Sequence, residues 1–299
     1  MRWISPLAVA LFCVGCSGPE DLDEASLGGK GRFGLVYVNY DHDWAERGEA
    51  VLFTTTAQFV RYAAMAEDQV ARLLALPLDP AKDLPAVDQC RTYDLSLELL
   101  AEEAVENEET GSIELLEAGN LRIQTDAQTV TLAPRHFPWL LPFISGVIYG
   151  EAQNGVVERV AGVKATAEGG EAVGAFAAQL DSPELPRLLQ VAQGQPSPLV
   201  VASRSQPLAV RWSPAGAETG RNEVTYLELR YNKGKRDLAL RCQLKDDGAF
   251  EVPASHLAGL VGKVPLEIAR LKRAFFSASG LQRGELRVTV RDTAALQLQ

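Results

Sequence analysis

Several common functional signatures are missing from this chain. Beyond residue 16 no apolar run approaches the roughly 20 residues that cross a bilayer as a helix. Histidine is scarce, with three in 299 residues, and no histidine–cysteine set has zinc spacing. There is no Gly-x-Ser-x-Gly elbow, no Ser-x-x-Lys, no phosphate-cradling glycine loop and no dinucleotide fingerprint. Basic side chains are outnumbered 29 to 39, for a net charge of −10, which argues against nucleic acid and against anionic headgroups as charge-held partners. These absences point to no cofactor, no metal and no enzymatic activity.

Residues 1–16 carry an address. Arg2 precedes a short apolar run from Leu7 to Val14, which stops at Gly15-Cys16. This order predicts an export signal over 1–15, too short to remain as a spanning helix. A small residue before cysteine resembles the bacterial lipobox, whose cysteine receives a diacylglycerol and becomes the new N-terminus. Here Cys13 stands where that motif usually has leucine, and Val14 where it has alanine or serine. The resemblance implies lipidation of Cys16. Three acyl tails would exceed the two signals usually needed for stable anchoring. Ser17 is not the aspartate that retains some lipoproteins at an inner membrane, so the expected location is the outer membrane or cell surface. Removing Arg2 with the signal leaves 28 basic against 39 acidic residues, −11.

Of the four cysteines, only Cys90 and Cys242 lie beyond the signal and its junction. In an oxidising envelope compartment a leftover pair is most simply a disulfide.

Residues 16–31 have no hydrophobic period and are rich in Gly, Ser and acids, which predicts a flexible tether. From Arg32 onward, short alternating runs recur, with helical spacing at Met65–Leu76, after Pro253, and at Val264, Ile268, Leu271 and Phe275, where 265–278 is nevertheless read as a strand beside the alternating Gly284–Val290. Turn signals stand at Glu117–Asn120, Thr125–Gln128, Asn232–Lys235 and Asp246–Gly248. The expected fold is mainly β: two antiparallel β-sandwich-like domains with one or two short helices. Four prolines between Asp181 and Pro198 mark the boundary, giving a β-rich domain over 32–195 and an immunoglobulin- or fibronectin-like sandwich over 196–299.

Gly174-Ala175-Phe176 with Leu180, Ser203-Arg204-Ser205-Gln206-Pro207-Leu208 with Val210 and Trp212, and Cys242 with Phe250-Glu251-Val252-Pro253-Ala254, Leu257 and Leu260 resemble a group of β-rich lipoproteins of myxobacteria. The resemblance is strongest from about residue 155 to 261. That group has no established activity, so the resemblance implies fold and location and transfers no functional residue.

The remaining candidates are weighed residue by residue. In Asp41-His42-Asp43, an extended backbone points the histidine away from both carboxylates, so the expected role is a solvated turn rather than a metal site. Glu102–Glu109, with five carboxylates in eight residues, reads as a solvated loop. Arg270, Lys272 and Arg273 form a basic cluster on a strand face. The loop around Phe137, Trp139, Leu140 and Phe143, broken by Pro138 and Pro142, must either cap a core or make a contact. The expected function is a lipid-anchored, noncatalytic binding or structural module that meets another envelope protein or a polysaccharide. The alternatives are an extracytoplasmic glycan hydrolase with a carboxylate pair that the sequence does not mark, and a small-ligand carrier.

Overall fold

A computed structural model describes residues 29–43, 51–96, 111–126, 128–136, 143–155, 162–194, 199–215, 222–260 and 262–299. The expected signal, Cys16, nearly all of the tether, the Glu102–Glu109 stretch and residues Phe137, Trp139 and Leu140 lie outside them. No described helix is long and apolar enough to cross a membrane.

The protein is mainly β, as expected. In chain order the first half carries β1 (Lys30–Asp43), β2 (Val51–Ala63), helices α1 (Glu67–Leu73) and α2 (Pro80–Asp83), β3 (Gln89–Asp94), β4 (Ser112–Leu115), β5 (Leu121–Thr125), β6 (Thr129–Leu132), β7 (Arg135–His136), β8 (Ile144–Gly155), β9 (Gly162–Ala167) and β10 (Phe176–Asp181). The second half carries β11 (Leu188–Val191), β12 (Val200–Ala202), β13 (Leu208–Trp212), β14 (Glu223–Lys233), β15 (Arg236–Leu244), β16 (Ala249–Val252), α3 (Ala254–Leu257), β17 (Gly262–Phe276) and β18 (Arg283–Leu298).

Three sheets are built from these strands. The largest runs β15-β14-β17-β18-β1-β2-β4-β8-β7, with β12 also paired to β18. A four-stranded sheet, β10-β9-β5-β6, and a three-stranded sheet, β11-β13-β16, complete the set. The large sheet has at its centre a parallel pairing of β1 with β18, from Phe33 opposite Arg283 to Asp43 opposite Thr293. That pairing joins residues 250 apart, and it carries the sheet across the boundary expected at residue 196. What divides near there is the hydrophobic interior.

Strand alternation builds both cores on one face of the large sheet. On β18, Leu286, Val288 and Val290 enter a first core with Val36, Val38 and Phe53, and the four-stranded sheet covers it through Leu121, Ile123 and Val163. Farther along the same face, Ala294, Leu296 and Leu298 enter a second core with Leu227, Leu240 and Ile268, and the three-stranded sheet covers that one through Val210, Trp212 and Val252. Each fully buried Leu, Ile or Val contributes about 1.5–3 kcal/mol relative to exposure. Two sandwiches therefore share one long sheet.

Two turns differ from their expected role. Glu117–Asn120 does not join a hairpin: β4 belongs to the large sheet and β5 to the four-stranded one. Gly119 makes the crossing possible, since its φ is +69° and a Cβ there would lie 2.6 Å from the Gly169 carbonyl oxygen. Asp246–Gly248 likewise leads from β15 into the three-stranded sheet rather than back along β15. Thr125–Gln128 and Asn232–Lys235 do close antiparallel hairpins, β5–β6 and β14–β15.

Candidate functional site

Between the two cores, on the same face, the alternating residues turn polar. Arg270 on β17, Asp292 on β18 and His42 on β1 occupy three adjacent strands and are all buried. His42 Nδ1 lies 2.7 Å from Asp292 Oδ1, and Asp292 Oδ2 accepts the Leu188 backbone N–H at 2.6 Å. Arg270 donates through Nε and Nη2 to Asp246 at 2.7 and 2.9 Å, and it also donates to the carbonyls of Glu184 and Ser213. The Trp212 indole N–H donates to the same Asp246 carboxylate, 2.7 Å away. The proline-marked segment after Asp181 is thus fastened to the seam by Arg270 and Asp292. A carboxylate on Nδ1 orients an imidazole, as in a hydrolytic triad. The ring here is 3% exposed, which closes it to a substrate in this conformation.

Two sequence expectations are corrected by this seam. His42 is not in a solvated turn: it faces the interior at the end of β1, while Asp41 points to the opposite face and pairs with Arg291 at 3.1 Å. Arg270, Lys272 and Arg273 do not form a basic cluster on one solvated strand face. Arg270 is buried, Lys272 lies 3.9 Å from Glu223, and Arg273 meets Asp79 and Glu285 at 3.8 and 3.9 Å.

The other face of the large sheet is charged. Arg241 on β15, Glu228 and Arg230 on β14, Glu267 on β17, Arg291 on β18, and Asn39 and Asp41 on β1 form a row across five strands. Glu228 bridges Arg241 and Arg230. Arg291 reaches Glu267 at 3.2 Å and the Tyr37 hydroxyl at 2.9 Å. Glu228 and Glu267 oppose each other in register. Burial raises the pKa of Glu267, and Glu228 and Asp41 reinforce it while Arg291 and Arg230 oppose it. Burial also acts to raise Glu228, but Arg241 and Arg230 outweigh it and the net shift is downward.

Residues 76–96 form a strap over part of this face. Leu78 and Leu84 pack on Tyr226, Ala269 and Leu271. Arg287 donates to the carbonyls of Pro77 and Leu78 at 3.0 and 2.8 Å while holding Glu285. The strap then lies along β15, where Asp88 N–H donates to the Gln243 carbonyl and Cys90 is disulfide-bonded to Cys242. The expected cysteine pairing is present in the fold. Cys242 is fully buried, and Cys90 is half-buried.

Two grooves flank the strap. One, of about 380 Å³, is lined by Asp88, Gln89, Cys90, Phe250, Glu251 and His256, and its charged groups are mostly acidic. The other, of about 460 Å³, is lined by Thr92, Asp94, Tyr231, Lys233 and Arg236. Its basic residues, Lys233 and Arg236, flank the tip of the β14–β15 hairpin, whose turn signal in the sequence is Asn232–Lys235. Phe143, the one described member of the expected contact loop, is half-buried against Val60, Ile113 and Ile144, so its ring serves the core. Among the described residues no group of three or more His, Cys, Asp and Glu side chains is arranged to hold a metal ion. No protein-family model matches the chain, and no curated protein sequence does.

Proposed function

We propose that the chain is a lipid-anchored protein of the bacterial envelope that acts as a noncatalytic binding or structural module at the outer membrane or cell surface. The observation that carries this reading is the Cys90–Cys242 disulfide, since such bonds persist in oxidising compartments and are rare where thiols are kept reduced. It agrees with the export order of residues 1–15 and the small residue before Cys16. The resemblance to myxobacterial β-rich lipoproteins points the same way. An acidic chain has no charge attraction to anionic lipid, so attachment must come from acylation. The partner is another envelope protein or a polysaccharide. Peptide mass spectrometry of the membrane-fraction protein, beside a Cys16→Ala variant, tests the reading. A triacylated Cys16, lost with release of the variant, supports it, and an unmodified soluble chain overturns the anchor.

The hydrolase alternative has one observation in its favour: Glu228 and Glu267 are opposed carboxyl groups whose titrations are driven apart, as in an acid and base pair. Against it, both are held by guanidinium groups on a sheet face, and neither lines either of the two grooves. Hydrolysis of an envelope glycan that disappears in Glu267→Gln while the fold is retained would favour this alternative over the binding module.

A further inference from the structure

We infer that the groove between the strap and the β14–β15 hairpin binds an acidic oligosaccharide, with Arg236 and Lys233 taking the sugar's carboxylate and Tyr231 lying against its ring. This deepens the polysaccharide-binding reading above and rests on it.

The central observation is a guanidinium fixed in place at the surface. Arg236 donates through Nε and Nη2 to Asp94 Oδ2 at 2.8 and 2.5 Å. Asp94 is itself held, because Oδ1 accepts from the Ser96 hydroxyl at 2.7 Å and the Ser96 backbone N–H at 3.1 Å. The Ser96 hydroxyl in turn accepts from the Asp237 N–H at 3.0 Å. The Ser96 and Arg236 contacts hold the Asp94 carboxyl at about 2, so it stays charged. A carboxylate has about four acceptor sites, and all four on Asp94 are engaged from within the chain, which leaves it nothing to offer a ligand. Arginine has five N–H donors, so after the two bonds to Asp94 three remain, on a side chain 59% exposed. A planar fork held in this way suits carboxylates, and its ordering cost is already met before a ligand arrives.

The rest of the groove selects among anions. Lys233 is exposed and has no carboxylate partner among the described residues, so it adds a second cation on a protein of net charge −10. Tyr231 is half-buried against the second core and also lines the groove, and Thr92 adds a hydroxyl. Two cations beside an aromatic wall and hydroxyl groups match a uronic acid residue, which carries a carboxylate and several hydroxyls on an apolar-faced ring. A volume of about 460 Å³ lies within the range of small-ligand sites. The second groove, with Asp88 and Glu251, would repel the same ligand.

The test is calorimetric titration of the mature full chain with an oligogalacturonate and with its methyl ester, which keeps the rings and removes the charge. The acid form is expected to bind, with the ester at least about tenfold weaker. Arg236→Gln is expected to lose about tenfold or more, the value of one charge-assisted contact. Arg122→Gln, which makes the same charge change at an exposed site on β5, is expected to leave affinity unchanged. No binding of the acid form, equal binding by Arg236→Gln, or equal displacement by inorganic phosphate overturns the saccharide site. Titration reads the groove and mass spectrometry of Cys16 reads the anchor. An acylated protein that binds no oligogalacturonate therefore loses only this inference, and a soluble one that does bind loses only the anchor.

Discussion

The two faces of β18 are made by the same sixteen residues, and they solve burial in opposite ways. Leu286, Val288, Val290, Ala294, Leu296 and Leu298 face the two cores, and the apolar series breaks once, at Asp292. Glu285, Arg287 and Arg291 face the other way, and each is paired within its own sheet or with the strap. On the core side a single charged position is caged by His42 and the Leu188 N–H. On the charged side each ion has a neighbour of opposite sign within reach, and Arg291 keeps partial access to water while Glu285 and Arg287 are buried. Charge on the core side of β18 is therefore an isolated ionic position in an apolar series, whereas charge on the outer side is shared along a row of ions. The comparison predicts unequal penalties for similar substitutions.

The largest penalty is expected for Asp292→Ala. It removes the carboxylate shared by the buried His42 imidazole and the Leu188 N–H and loosens the chain segment that crosses between the cores. Breaking a buried pair by removing one partner costs about 3–5 kcal/mol. A urea titration should show the loss as a lower midpoint. A cost under about 1 kcal/mol would mean that the seam is wet and its pairing dispensable. Reduction of Cys90–Cys242, or the double serine variant, comes next at about 2–4 kcal/mol, because the bond closes a sequence separation of 152 residues. Without the bond the strap is held only by noncovalent ties such as the Asp94–Arg236 pair and its packing on Tyr226, so proteolysis of the reduced protein is expected to begin within residues 76–96 while the two cores stay resistant.

How much of this was readable in the chain follows the range of each interaction. The short alternating runs from Arg32 onward mark the chain as mainly β, although Val264, Ile268, Leu271 and Phe275 of β17 fall at helical spacing. The cysteine pair was legible by elimination, since only two remain beyond the signal. The parallel β1–β18 pairing was not, because it joins segments 250 residues apart with no local turn to announce it. Glu117–Asn120 misled because the glycine and asparagine that suit a hairpin suit a sheet-to-sheet crossing equally well. The proposed basic cluster failed on a point that strand geometry could have caught: Arg270 and Arg273 are three apart, so they point to opposite faces. His42 carried no local sign of its partner. The Asn232–Lys235 signal announces only a turn, and Asp94, which fixes the adjoining Arg236, lies 142 residues earlier.

The charged face offers the finer test, through two glutamates opposed in register. Glu228→Gln leaves Arg241, itself buried, without its anion, and a loss of about 1.5–3 kcal/mol at neutral pH is expected, in line with hydrogen bonds to charged groups. Glu267→Gln is expected to do the reverse. Its carboxyl holds a proton more tightly in the folded protein than in the unfolded chain, because burial and the neighbouring Glu228 and Asp41 oppose its charge. The folded state is therefore favoured by Glu267 at low pH, and that contribution is lost as the pH rises from the ordinary glutamate range through the raised folded value. Glu228 has the opposite sign: its folded value is lowered, so its contribution is present above the unfolded range and lost as the pH falls through the folded value. Glutamine at 267 removes the repulsion and leaves Arg291 paired with Asp41, so at roughly pH 8 the variant should match or exceed the parent by up to about 1 kcal/mol, with no gain at roughly pH 4. Urea midpoints for both variants at the two pH values decide the matter. A loss for Glu267→Gln as large as that for Glu228→Gln would mean that Arg291 depends on Glu267 as Arg241 depends on Glu228, and the outer face would then be as intolerant of a missing partner as the seam at Asp292.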